Sequence, residues 1–63
     1  MIVNYICLKT DWDHEVIDMF LVVDDEEIHM KGFDEVEWRE AQEFAQKIAN
    51  SLNVEFVGDR TDT

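Results

Sequence analysis

The spacing of apolar residues changes period near residue 33. Before that point they come in short runs bounded by acids. "IVNYICLK" (residues 2–9) is rich in β-branched and aromatic residues and predicts a first strand. "TDWDH" (10–14) is a polar connection that carries Trp12. "EVIDMFLVVD" (15–24) is the most apolar run and predicts a central strand. Asp25-Glu26 then turns the chain, and "EIHMKGF" (27–33) returns as a third strand with Gly32 marking its end. Together the three predict an antiparallel meander.

After Phe33 the period becomes helical. Trp38, Ala41, Phe44, Ala45, Ile48 and Leu52 recur at steps of three and four, which describes one apolar helix face. Asp34 fits the N-cap and Glu37 the third helical position, a capping box with Asp in place of Ser or Thr. Phe33 and Trp38 sit at the spacing of a hydrophobic staple, and Asn53 fits the helix stop. "VEFV" (54–57) alternates and predicts a fourth strand.

The expected fold is α+β, in the order β-β-β-α-β. Strand four lies parallel to strand one or to strand three through a right-handed crossover. Strand one is preferred, giving a mainly antiparallel sheet of order 4-1-2-3 with the helix on one face. Residues 1–58 form the single domain, and 59–63 a flexible tail.

One helix covers one sheet face, yet strand two is apolar on both. Val3, Tyr5, Val16, Phe20 and Val22 would line the uncovered side as a sizeable apolar patch. Such a patch marks an interface, here for self-association into a homodimer.

Size and composition narrow the classes. A 63-residue chain makes one domain and buries only about 60% of its unfolded surface. The lone Cys7 forms no internal disulfide, and no Cys/His cluster provides for zinc, so neither metal nor cofactor is expected. With 46% hydrophobic residues and seven aromatics the chain folds; it is not an acidic disordered tail.

Charge is the outlier. Sixteen acids against five bases give a formal net charge of −11. That balance disfavours direct contact with nucleic acid or anionic membrane and favours a basic protein. No apolar run is long enough for a membrane span, and the amino-terminal stretch does not read as a signal peptide. A cytoplasmic protein is the expectation.

Catalytic chemistry has little footing in the sequence. Asp11, Asp13 and Glu15 alternate as in calcium loops, but Val16 and Val22 stand where such a loop needs Gly and Glu. His14 and His29 lie among acids and read as surface residues. A Cys7–His29 couple would have strand two between its members, and no oxyanion-hole context accompanies it. A non-enzymatic protein is expected.

Some helix acids have structural reasons. Asp34, Glu35 and Glu37 complement the helix dipole, and Glu35–Arg39 and Glu43–Lys47 have favourable i,i+4 order. Others exceed such needs. Asp24, Asp25, Glu26 and Glu27 crowd one hairpin, while Glu37, Glu40 and Glu43 step down one helix side. Acids on a helix lie about 5–6 Å apart, a spacing broadly similar to that of successive phosphates along a nucleic-acid strand.

In length, charge and the clusters "DDEE" and "DEVEWREAQE", the chain resembles the small acidic inhibitors of phages and mobile elements. These are the anti-CRISPR and anti-restriction proteins that mimic DNA. The resemblance implies a non-enzymatic inhibitor that occupies the nucleic-acid site of a basic nucleic-acid-binding protein or nuclease, in the host cytoplasm if phage-encoded. The partner-binding acids would be the seven named above. The alternative is a small acidic dimeric adaptor that works through its apolar sheet face, its charge serving only solubility.

Overall fold

A computed structural model of the chain describes residues 2–59. Its elements are β1 (Val3–Asp11), β2 (Val16–Val23), β3 (Glu26–Asp34), a 3-10 turn (Glu35–Glu37), α1 (Trp38–Leu52) and β4 (Glu55–Asp59). The sheet order is β3-β2-β1-β4, the expected α+β arrangement read from its other edge. β2 is antiparallel to β1 and to β3, and β4 is parallel to β1. Strand four therefore lies beside strand one, not strand three. β4 runs through Asp59, one residue into the segment expected as a tail. Residues 60–63 of that expectation lie outside the described residues.

The hairpin between β2 and β3 turns one residue earlier than expected. Its two turn residues are Asp24 and Asp25, with φ of 52° and 65°, and Val23 pairs with Glu26 across them. Two consecutive positive φ values suit the right-handed twist of a tight hairpin, and Asp tolerates them better than most residues. The turn is also tied to the start of β1. Asp24 N–H donates to the Ile2 carbonyl at 2.8 Å, and Ile2 N–H donates back to Asp24 Oδ1 at 2.8 Å. Asp25 N–H donates to Asn4 Oδ1 at 3.0 Å, where an irregularity between Val3 and Tyr5 interrupts the β1–β2 register.

The core lies between the sheet and α1. Ile6, Leu8, Ile17, Met19 and Phe33 supply the sheet side. The helix side is a row of alanines: Ala41, Ala45 and Ala49 are all 0% exposed. Spaced by four, they form a narrow seam that lets the helix backbone approach the strands closely. The larger members of the expected face flank this seam. Trp38, Phe44 and Leu52 stay partly exposed. Phe33 finds its ring partner in Phe44, at 5.9 Å between centroids, while the indole expected as its staple partner is half in solvent.

The helix start forms as its local sequence predicts. Val36 N–H donates to Asp34 Oδ1 and Asp34 N–H to Glu37 Oε1, each at 3.1 Å, completing the capping box. One 3-10 turn precedes the α-helix, and Asn53 closes it in the left-handed region at φ 56°. Asp34→Ala is expected to cost about 0.5–2 kcal/mol in urea unfolding, and Glu40→Ala nearly nothing. Equal, negligible effects would remove the cap from the account of the helix.

Candidate functional site

The sheet face away from α1 is less bare than strand alternation implies. Val22 is 3% exposed, and Val3, Tyr5, Val16 and Phe20 are half-buried. Long polar side chains on neighbouring strands supply the cover. Lys9 Nζ lies 5.3 Å from the centroid of the Phe20 ring and pairs with Glu27 at 2.6 Å. The His29 ring meets Phe20 edge-on at 5.5 Å, and its Nε2 lies 2.8 Å from Asp18 Oδ1. Cys7, Phe20 and His29 align across three strands, so Phe20 stands between the thiol and the imidazole. Cys7 itself is fully buried.

The seven candidate acids do not form one patch. β3 carries the chain from the hairpin to the helix start along the full length of the sheet. From Asp24 to Glu15 is nine residue steps, roughly 30 Å at strand rise; the molecule's longest dimension is 33 Å. Asp24, Asp25 and Glu26 therefore mark one end. Glu37 belongs to the other, and Glu40 and Glu43 lie exposed on α1.

Several of these acids also serve the fold. Asp24 and Asp25 make the turn, Glu27 holds Lys9 and Glu37 completes the capping box. Among the described residues, Glu26, Glu40 and Glu43 have no side-chain hydrogen bond or ion pair.

At Glu37's end the fold gathers acids that lie far apart in the sequence. Asp11, Val16 and Asp34 stand in register across three strands, and Glu35 N–H donates to the Glu15 carbonyl at 2.9 Å. Asp11, Asp13 and Glu15 thus join Asp34, Glu35 and Glu37. The alternation of acids in "DWDHE" is the local signal for this cluster, and by itself it reads as a solvated, acid-rich turn. Asp11 accepts from the Asp13 and His14 backbone and lies 2.7 Å from His14 Nδ1. The hydrogen bond from the His14 side chain, with those backbone bonds, holds its carboxyl below the ordinary carboxylate range.

The bases do little to neutralise these acids. Lys31 Nζ lies 5.3 Å from the Phe33 centroid and 5.6 Å from that of Phe44. The Arg39 guanidinium lies 5.8 Å from the centroid of Trp38. With Lys9 over Phe20, three of the four described Lys and Arg residues sit on aromatic rings. Neither expected helix pair, Glu35–Arg39 or Glu43–Lys47, closes. Lys9–Glu27 is the one Lys or Arg ion pair among the described residues.

Among the described residues no three His, Cys, Asp or Glu side chains are grouped to hold a metal ion. No described helix is long and apolar enough to cross a membrane. Set against protein-family models, curated proteins and solved structures, the chain matches none.

Proposed function

We propose that this domain is a small acidic, non-enzymatic binding protein. It inhibits a basic nucleic-acid-binding protein or nuclease, in the cytoplasm, by occupying the nucleic-acid site. The observation that carries the reading is the diversion of the bases. Among the described residues, Lys31 and Arg39 lie over aromatic rings and close no ion pair, and in a chain of net charge −11 the acids far outnumber the bases that could meet them. A field of that sign speeds encounter with a Lys- and Arg-lined groove and weakens with salt. The two acidic ends, roughly 30 Å apart at strand rise, offer charge along a length comparable to a short stretch of duplex. The adaptor reading would place the working surface on the open sheet face. Lys9 and His29 partly cover Phe20 and Val22 is buried, so that face offers less apolar area than strand alternation implies, and the acids are the better candidates.

The test is competition. A nucleic-acid-handling protein retained on the immobilised domain is expected to be released by DNA or RNA and by added salt. Glu26→Lys combined with Glu40→Lys and Glu43→Lys is expected to weaken retention about tenfold or more at unchanged circular dichroism. These three acids have no structural bond to lose. A partner that binds the reversed variant equally well, and DNA at the same time, would assign the acids to solubility.

A further inference from the structure

Both tryptophans of the chain lie outside the core. Trp12 is 61% exposed and Trp38 is 52% exposed, with Val36 beside it at 83%. Tryptophan is on average a highly buried residue, and leaving its large apolar area in water forgoes core stabilisation that a 63-residue domain needs. All three residues belong to the same end of the sheet. Trp12 follows Asp11, and Val36 and Trp38 follow Asp34; Asp11 and Asp34 share one cross-strand row through Val16. Two strand spacings, about 10 Å, separate that row's ends. The hairpin end differs: its exposed apolar residues, Ile2, Ile28 and Leu52, are aliphatic.

We propose that the domain meets its basic protein partner through the Trp12–Trp38 end, with the two indoles as anchors for the partner's arginine or lysine side chains. The inference rests on the inhibitor reading and names which end makes the contact. Indole is the best aromatic face for a cation, and tryptophan is enriched among residues that dominate interface energy. Charge selects the occupant. Asp11, Asp13, Glu15, Asp34, Glu35 and Glu37 share this end, so an incoming guanidinium stacks on a ring with carboxylates nearby. A second copy of this acidic chain would meet repulsion there. The molecule already shows the geometry: its own Arg39 lies over Trp38. Under this proposal the carboxylates steer the partner and the indoles hold it, whereas Asp24 and Asp25 chiefly shape their turn.

A deca-arginine peptide titrated into the isotope-labelled protein at physiological ionic strength, about 0.15 M, tests the assignment. The indole N–H signals and the backbone amides of 11–15 and 34–38 are expected to shift most, with 24–27 nearly still. Trp12→Ala with Trp38→Ala should weaken binding about tenfold or more, and the matching pair of Phe substitutions should retain part of it. Deca-lysine should bind several-fold more weakly, since arginine stacks on rings better than lysine. Shifts centred on 24–27, or equal affinity in the double alanine variant, would overturn the end assignment and leave the inhibitor reading standing. No binding of either peptide to the unaltered protein would overturn both.

Discussion

Replacing Ala45 with leucine is expected to lower stability by about 1–3 kcal/mol. Ala45 is the middle of the seam that α1 sets on the sheet, and like Ala41 and Ala49 it is fully buried. Added carbons at that point meet the packed side chains of β1 and β2, so the helix must lift or the strands must spread. Either motion disturbs the contacts of Ala41 and Ala49 as well. A core this small rarely supplies more than about 3–5 kcal/mol, so the substitution removes a large share of the total. Urea unfolding followed by circular dichroism measures the loss, with exposed Gln42→Leu as the neighbouring control. An unchanged midpoint for Ala45→Leu would mean that α1 stands off the sheet.

The second large effect is expected at Met19. Its side chain is 0% exposed on central strand β2, opposite Leu8 on one side and Lys31 on the other. Met19→Ala should cost about 2–5 kcal/mol, from lost transfer energy plus the cavity left behind. In a domain this small that leaves much of the population unfolded at room temperature. Trp38→Ala removes more atoms but should cost less, about 1–2 kcal/mol, because half the indole is already in water. A loss at Trp38 equal to that at Met19 would put the indole back into the core.

Those two positions also show where sequence legibility ends. Helical spacing grouped Trp38, Phe44 and Leu52 with the alanines, since period identifies a face but not its centre. Which members touch the sheet depends on how closely the two layers approach, and the smallest residues set that distance. Capping was legible because it is local, decided within four residues by Asp34 and Glu37. The hairpin lies one residue earlier than expected, on the two acids that accept positive φ more readily than Glu26 does. The pairing of Val23 with Glu26, and Asn4 reaching across from β1, select Asp24 and Asp25.

The acids posed a different difficulty. Sequence proximity joined "DDEE" to the helix acids, while β3 separates them by most of the sheet's length. The β1–β2 turn, distant in sequence from the helix start, comes to lie beside it through the Glu15–Glu35 bond. Neither relation is visible before the strands are aligned.

The position of β1 also orders the steps by which a new chain becomes this fold. β1, β2 and β3 join through short turns and can zip together as soon as they are made. β1's other edge waits for β4, whose Glu55 pairs with Tyr5 fifty positions earlier. Closing that long loop carries the largest loop-closure cost in the sheet and is expected to come last. Until then each growing chain displays an unpaired strand edge through residues destined for the centre, a template on which two copies can join. Strong mutual repulsion between identical acidic chains opposes that encounter during the interval. The charge would then serve the protein during its synthesis, whatever it goes on to bind.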